Sequence, residues 1–213
     1  MAEFLNTAFY GLDRAVFIFF NNLSKSIGGF LSPIFNFITF FGNGGWAFIV
    51  FGVICLLFKN SRKLGLTVLL SLLVGSIITN IALKNLVARP RPYDSNQEYF
   101  IYWQQVGGKV QSEFSFPSGH TTVTTAWAMA LFLTANKKWS YIGFILALIM
   151  GATRIYFIVH YFTDILGGLI AGSLAGILGY YITKLIYSKI EKHKNNKFSN
   201  FVLESDLRSL FKK

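Results

Sequence analysis

The stretch Thr153-Arg-Ile-Tyr-Phe-Ile-Val-His-Tyr-Phe-Thr-Asp164 places an arginine, a histidine and an aspartate in an otherwise mostly apolar segment. His160 and Asp164 are four residues apart, so on a helix they would share one face. A carboxylate held against one imidazole nitrogen fixes the tautomer and leaves the other nitrogen free to react. Arg154 lies six residues before His160, close enough across a turn to bind an anion that the imidazole would attack. An ion-paired helix end explains the same residues when the stretch is considered alone, so its meaning depends on the rest of the chain.

The segments on both sides of this stretch are long and almost free of charge, which indicates a membrane protein. The chain has 213 residues, of which 53% are hydrophobic and only 14% charged, and it contains 23 phenylalanines. The net charge of +11 does not predict nucleic-acid binding, because most Lys and Arg fall in short connectors and in the C-terminal tail. This composition excludes an ordinary soluble domain and indicates that the protein is embedded in a lipid bilayer.

Six largely uncharged runs predict an all-α, polytopic membrane helical bundle with about six transmembrane helices and an N-terminal amphipathic helix. Residues 1–24 form that first helix, which we expect to lie at the interface rather than to span, because Asp13 and Arg14 interrupt it. Residues 25–188 are the six-span domain, and 189–213 are a basic cytoplasmic tail. The predicted spans are about 26–41, 44–58, 64–83, 121–136, 139–158 and 161–183. Gly42-Asn43-Gly44-Gly45 predicts a turn between the first two spans, and Asn136-Lys137-Lys138 a tight basic turn.

Two features of the last span and the tail predict packing. Gly168, Gly172 and Gly176 form a small-residue stripe, which we expect to permit close helix packing in the bilayer. Leu203, Leu207, Leu210 and Phe211 predict a short amphipathic helix in the tail, lying on the surface.

The distribution of basic residues predicts the orientation of the chain in the cell membrane. The basic connectors at 59–63 and 137–138 and the tail are expected on the cytoplasmic side. Six spans then leave both termini in the cytoplasm, and the loop 84–120 and the turn 158–161 face outward.

Two further stretches are predicted to reach the same outer face as the first. Lys84-x6-Arg91-Pro92 follows the third span, and Pro117-Ser-Gly-His120 precedes the fourth. Each alone has an ordinary explanation, as interfacial cations or as a helix cap. Together the three stretches bring several cations, two histidines and a carboxylate to one depth of the membrane. The remaining histidine, His193 in the lysine-rich tail, is expected to be solvated and without a role.

Such a cluster suits phosphoryl transfer, in which cations and N–H donors surround the phosphoryl oxygens. Backbone N–H groups at the start of the fourth span, where glycine permits close approach, are expected to form an anion nest. No cluster of carboxylates, Cys or His appears at metal-ligand spacing, so we expect neither a metal nor another cofactor. The expected phosphate ligands are Lys84, Arg91, Ser118, Gly119 and Arg154.

The two histidines and the aspartate are the expected catalytic groups. His160 attacks phosphorus in line and forms a phosphohistidine, and Asp164 orients His160 and stabilises its positive charge. His120 protonates the leaving oxygen and then activates water for the second step.

The three stretches resemble the three-part signature of the type-2 phosphatidic acid phosphatase superfamily, K-x6-R-P, P-S-G-H and S-R-x5-H-x3-D. Every catalytic and phosphate-binding position has a matching residue over about 84–164, with Thr153 where the family usually has Ser. The resemblance implies a helical-bundle core, an active site at the outer leaflet and the roles assigned above. The six-span layout favours the membrane-bound lipid phosphatase branch over the soluble acid phosphatases and vanadium haloperoxidases.

The expected function is hydrolysis of a lipid phosphate or diphosphate of the undecaprenyl diphosphate, phosphatidylglycerophosphate or phosphatidic acid type. Transfer of the phosphoryl group to another acceptor through the same intermediate is the alternative. A transporter is disfavoured, because its charges usually lie near the bilayer midplane rather than at span ends. The aromatic loop 93–116 fits either a lid over the headgroup or an interfacial aromatic belt.

Overall fold

The structure, a computed structural model, describes residues 1–27, 29–135 and 137–211; of residues 138, 139, 210 and 211 only the backbone is described. The described residues form helices and connecting loops, without a strand. A 3-10 turn, Asn43–Gly45, joins the third and fourth helices, and a π-helical segment, Ile77–Leu83, joins the fifth and sixth. The α-helices are α1 (Ala2–Ala8), α2 (Tyr10–Ser26), α3 (Leu31–Gly42), α4 (Trp46–Leu56), α5 (Arg62–Ser76), α6 (Lys84–Val87), α7 (Pro92–Ser95), α8 (Gln97–Gln105), α9 (Gly119–Thr134), α10 (Lys137–Tyr156), α11 (Phe162–Lys192) and α12 (Lys197–Glu204).

Within the part of the chain that the structure describes, three stretches are long and apolar enough to cross a membrane: Leu31–Leu56, Arg62–Ser95 and Phe162–Lys192. A shorter apolar helix, Ser140–Tyr156, accompanies them. The chain is therefore a membrane helical bundle. The turn predicted at residues 42–45 is present, with positive φ at Gly44 (58°) and Gly45 (69°), a conformation that glycine adopts without strain.

The centre of the bundle is built from α5, α9, α10 and α11. Helix α11 packs against α9 and α5, while α9 also packs against α10. A Cβ atom on Gly172 of α11 would lie 2.5 Å from the carbonyl oxygen of Thr122 in α9, so this glycine permits the close approach of the two helices. The predicted role of the Gly168, Gly172 and Gly176 stripe in helix packing is confirmed.

Helix α11 continues to Lys192, nine residues beyond the predicted end of the last span at 183, but two other helix ends fall where the sequence predicts them. The continuous helix of α5, the π-helical segment and α6 ends at Val87, before the two prolines, and Ala88 adopts a left-handed conformation with φ of 50°. Ser118 caps α9, since its hydroxyl oxygen accepts from the Thr121 N–H. These ends lie at the same end of the bundle as the turn between α10 and α11.

The N-terminal segment forms two helices that break at Phe9, rather than the single amphipathic helix predicted. Helix α2 presents buried Asp13 and Asn21 to the bundle. Its apolar residues Leu12 and Phe19 are 44% and 62% exposed. The polar side chains find partners inside the protein, while the apolar ones remain on the outside, where lipid can cover them.

The loop 93–116 contains α7 and α8 and contributes to the core. Tyr93 and Tyr99 are buried in a cluster with Phe17 and residues of the turn 157–161, and Trp103 stacks on Tyr93 at 5.0 Å between ring centroids. These aromatic side chains therefore pack against the core of the protein and against one another.

The C-terminal segment is held against the connector between α4 and α5. Arg62 donates to the Leu56 carbonyl (2.8 Å) and to the Ser205 carbonyl (2.6 Å), and the Leu207 N–H donates to the Leu57 carbonyl (3.0 Å). His193 is exposed, as expected. Asn136 of the predicted basic turn, and the side chains of Leu210 and Phe211 in the predicted tail helix, lie outside what is described.

Candidate active site

His160 lies in the loop between α10 and α11 rather than on a helix, which corrects the expectation that it shares a helical face with Asp164. The Ile158 N–H donates to Ile155 O (2.8 Å) and the Val159 N–H to Arg154 O (3.2 Å), so the loop folds back on the end of α10. Ile158 has φ of 53°, which is rare for a β-branched residue and marks a strained turn. The turn is buried, and it presents His160 just before α11 begins.

Asp164 occupies the third position of α11 and caps the start of that helix. Its Oδ2 accepts from the Tyr161 N–H at 2.9 Å and from the Ser115 hydroxyl, and it lies 3.4 Å from His160 Nδ1. Its Oδ1 accepts from Arg89 Nη1 at 2.7 Å. These donors fix the carboxylate plane, so that one oxygen faces the imidazole.

The hydrogen bonds of His160 select its tautomer. Arg91 Nη1 lies 2.9 Å from His160 Nε2, and because a guanidinium can only donate, Nε2 must accept and carries no proton. The proton then resides on Nδ1, which faces Asp164. Nε2, with its lone pair directed to Arg91, is the nitrogen that the predicted attack on phosphorus would use.

Burial, and then the positive charges of Arg91, Arg154 and Lys84, hold the pKa of His160 well below its usual range. The imidazole is therefore neutral at physiological pH, the state that a nucleophile requires.

Lys84 and Arg91 are nearly buried cations beside His160. Arg91 donates from Nε to Glu113 O and from Nη1 to Val159 O, both at 2.8 Å, which fixes the guanidinium between the loop 106–118 and the turn. Lys84 is paired with the Glu113 carboxylate. The lysine side chain is 7% exposed and that of Glu113 55%, so Glu113 covers a buried cation from the rim.

Arg154 is held at the end of α10 by one hydrogen bond, from Nη1 to Thr39 Oγ1 at 2.6 Å. Within the part of the chain that the structure describes, its buried Nε has no hydrogen-bond partner. A buried donor without an acceptor costs free energy. An anion bound beside Arg154 would remove that cost, which fits a phosphate ligand.

The start of α9 supplies His120 and two backbone donors. The Ser118 N–H is already donated to Asp164 O at 3.0 Å, so it does not join the expected anion nest in this structure. The amides of Gly119 and His120 belong to the first helical turn, which has no intrahelical acceptor. A Cβ on Gly119 would lie 3.8 Å from Lys84 Nζ, which shows how close this turn is to the lysine.

One cavity of ≈ 490 Å³ connects most of these groups. Asp164 and Ser118 lie behind its wall, and Arg154 lines an adjacent cavity of ≈ 140 Å³, whose lining shares Gln111 with the first. The expected site residues that line the larger cavity are Lys84, Arg91, Gly119, His120 and His160.

A family model described as the PAP2 superfamily matches residues 64–187. The chain belongs to the PAP2 superfamily. The match covers more than half of the chain and includes all three signature stretches, and it confirms the resemblance found in the sequence.

Relatives with known activities are similar to this PAP2 chain over different lengths. The undecaprenyl-diphosphatase of Sulfolobus acidocaldarius is 29% identical over 128 residues, which span 60% of this chain and 59% of that protein. The lipid A 4'-phosphatase of Bacteroides thetaiotaomicron is 27% identical over 90% of this chain and 84% of its own length. The structure of a transmembrane PAP2 phosphatidylglycerolphosphate phosphatase from Bacillus subtilis has a TM-score of 0.64 and 25% identity, covering 89% of this chain and 90% of its own.

Several residues of this PAP2 site were not expected from the sequence. Asn43, read there as part of a turn, places its Oδ1 2.9 Å from His120 Nε2. Ser115 and Arg89 bind Asp164, and Asp13 binds Arg89. The one sign of this hydrogen-bond network in the sequence was a charged residue, Asp13, within an otherwise apolar helix.

The described acidic, histidine and cysteine residues of this PAP2 chain do not form a metal site. Among the described residues, no group of three or more His, Cys, Asp or Glu side chains is arranged to hold an ion. Metal independence stays a prediction, which the assay below tests.

Proposed function

We propose that this protein is an integral membrane phosphatase that hydrolyses a lipid phosphate or diphosphate through a phosphohistidine. The observation that carries the proposal is the ≈ 490 Å³ cavity, which joins the histidines and cations to apolar side chains of α4, α5 and α9. Ile49 and Leu73 belong to this lining and are 43% and 57% exposed. A lipid can therefore keep its tail against α4 and α5 while its phosphate reaches Lys84.

In the first step, His160 Nε2 attacks phosphorus and the bond to the leaving oxygen breaks. The cations Lys84, Arg91 and Arg154 stabilise the charge on the phosphoryl oxygens, together with the amides of Gly119 and His120. His120 gives a proton to the leaving oxygen, which is a lipid alcohol for a monophosphate and a lipid phosphate for a diphosphate.

In the second step, His120 takes a proton from water as the water oxygen attacks the phosphohistidine. The P–N bond breaks, inorganic phosphate leaves and neutral His160 is restored. Asp164 accepts from Nδ1–H and stabilises the positive charge that the ring carries while it is phosphorylated.

Undecaprenyl diphosphate, phosphatidylglycerophosphate and phosphatidic acid are the proposed substrate types. Support comes from the cavity and from relatives named undecaprenyl-diphosphatase, lipid A 4'-phosphatase and phosphatidylglycerophosphatase B. Transfer of the phosphoryl group to a second acceptor would use the same intermediate, so product analysis must distinguish the two reactions.

We also propose six spans, with both termini cytoplasmic and the active site at the outer face of the cell membrane. In this proposal residues 1–24 lie at the interface, 25–188 form the catalytic domain and 189–213 the cytoplasmic tail. The positions of the site charges support it: His120 and Asp164 are in the first turns of α9 and α11, and Arg154 is in the last turn of α10. Charges at helix ends suit a surface site better than a transport path at the midplane.

The proposal is tested by measuring phosphate release from a panel of lipid phosphates in detergent, with EDTA. We expect turnover in EDTA, loss of turnover in His160→Ala, and no change in the matched control His193→Ala, which removes an exposed histidine. Quenching the wild type in alkaline denaturant should leave a phosphate on the protein that is stable in base and lost in acid, and this phosphate should be absent from His160→Ala. Full turnover in His160→Ala excludes the mechanism, loss of wild-type turnover with EDTA excludes metal independence, and acceptor phosphorylation with negligible phosphate release indicates a transferase.

A further inference from the structure

We propose that Asp13 and Arg89 are positioning residues of the catalytic site, which extend the His160–Asp164 pair into α2. This inference rests on the proposed phosphohistidine mechanism. It gives the N-terminal helices a function in catalysis, beyond contact with the membrane surface.

Arg89 is buried completely, and each of its three nitrogens donates to a side chain. Nη1 donates to Asp164 Oδ1 and to Thr163 Oγ1, both at 2.7 Å, and Nη2 donates to Asp13 Oδ2 at 2.8 Å. Nε donates to Asn6 Oδ1 in α1 at 2.8 Å. The guanidinium carbon lies 3.6 Å from the centre of the Tyr161 ring. The arginine is thus fixed on all sides, and it fixes the carboxylate that faces His160.

Asp13 binds both Arg89 and the first turn of α11. Its Oδ1 accepts from the Thr163 N–H at 2.9 Å, and its Oδ2 lies 2.9 Å from Thr163 Oγ1. A carboxylate from α2 therefore satisfies one of the amides that the start of a helix leaves without a partner. Because Asp164 lies one residue further on, Asp13 also sets the position of the turn that carries it.

The charges of the three groups explain why a second carboxylate is present. Arg89 alone would neutralise Asp164, and the phosphorylated imidazole would then face no net negative charge. With both carboxylates ionised, Asp13, Arg89 and Asp164 together carry one negative charge, which complements the positive charge formed on His160. Buried ion pairs give little net stability compared with apolar packing, so packing alone does not account for this arrangement.

The central test is Asp13→Asn, which keeps the size of the side chain and removes its charge. We expect kcat to fall about 10- to 100-fold, the range found in metal sites when an outer partner that orients a ligating histidine or carboxylate is replaced, while KM stays unchanged. Asp13→Glu keeps the charge and should recover part of kcat. The matched control is Asn21→Ala, which alters a buried polar residue of the same helix outside this network and should leave kcat unchanged.

The acid limb of the pH profile of kcat/KM distinguishes a positioning role of Asp13 from a loss of folding stability alone. The charged groups that act on His160 are Asp164 of α11, Arg154 of α10, Lys84 of α6 and Arg91 from the loop beside it. The neutral Ser115 acts on it through a hydrogen bond, and His120 of α9 lies in the same cavity. All of these remain in Asp13→Asn, so the loss of one negative charge should move the acid limb to lower pH. A change in thermal stability without any change in the acid limb or in kcat would overturn the proposal.

A readout without substrate distinguishes failure of this inference from failure of the proposed function. In histidine-labelled protein, the ring ¹⁵N signals of His160, assigned with His160→Ala, report which nitrogen carries the proton. We expect a protonated Nδ1 in the wild type and shifted ring signals in Asp13→Asn but not in Asn21→Ala. Absence of wild-type turnover on every lipid phosphate would refute the proposed function, whereas identical ring signals in Asp13→Asn and wild type would refute the positioning role.

Discussion

Glu113→Gln is expected to lower KM for a lipid phosphate about fivefold without changing kcat. In the structure Glu113 is paired with Lys84, so the substrate phosphate must displace this carboxylate before the lysine can bind it. Removing the carboxylate charge removes that competition. Lys84 then binds the substrate and the transition state more tightly by the same free energy, because both carry the phosphoryl charge. An equal gain in the two binding free energies changes KM rather than kcat.

The expected fivefold change in KM follows from how exposed the Glu113 and Lys84 side chains are. The Glu113 side chain is 55% exposed and that of Lys84 is 7% exposed, so solvent screens much of the attraction. A pair of this kind contributes about 1 kcal/mol, the upper end for exposed ion pairs. At 1.4 kcal/mol for a factor of ten, about 1 kcal/mol corresponds to a factor of about five.

The assay is steady-state phosphate release in detergent at fixed lipid-to-detergent ratio, repeated at about 1 M salt, where charges are strongly screened. The difference in KM between variant and wild type should shrink at high salt. The matched control is Glu98→Gln, which removes a carboxylate of the same loop that is 42% exposed, lies 3.8 Å from Arg14 and accepts from the Tyr102 hydroxyl at 2.7 Å. An unchanged or raised KM in Glu113→Gln, or an equal fall in the control, would refute the reasoning.

Three further outcomes are expected. The acid limb of kcat/KM should lie well below pH 6.5, because burial and neighbouring cations lower the pKa of His160 and attack requires its neutral form; an acid limb at or above 6.5 in the pH profile would contradict this. Asn43→Ala should lower kcat about fivefold, the equivalent of about 1 kcal/mol for one lost hydrogen bond to His120, and an unchanged kcat would remove Asn43 from the site. Gly172→Ala should destabilise the fold by about 1–3 kcal/mol through overpacking, seen as a lower midpoint of thermal unfolding, whereas Gly11→Ala, which meets open space, should not.

Local signals in the sequence predicted the helix ends and the residues that meet at them. Prolines at 90 and 92 end the helix that carries Lys84, and Ser118 caps the helix that carries His120. These signals work because they act within a few residues of chain, through backbone sterics and hydrogen bonds of the first turn.

The position of α2 could not be predicted in the same way, because its pattern is reversed relative to a helix of a soluble protein. In water an apolar face packs inward, but in lipid the apolar face can remain outside, and the polar side chains must find partners within the protein. Asp13 is therefore buried at 3% exposure, while Phe19 is 62% exposed. The partners of Asp13, which are Arg89 and Thr163, lie 76 and 150 residues later in the chain. A local sequence pattern cannot predict contacts between residues so far apart.

The pairing of His160 with Asp164 was predicted, but its geometry was not. Spacing of four residues suggested a helix, and the structure instead has a loop followed by a helix cap, with Asp164 bound to the Tyr161 N–H. Both arrangements bring residues four apart into contact, so spacing alone does not distinguish them.

The contacts of Asp13 also bear on how the protein is made. The ribosome produces Asp13 long before Thr163, its partner 150 residues later, and before Arg89, 76 residues later. Until the start of α11 is in the membrane, the carboxylate of α2 lacks its partner Thr163. Helix α2 therefore completes its contacts only after α11 is made, so a chain that lacks α11 cannot assemble the predicted site.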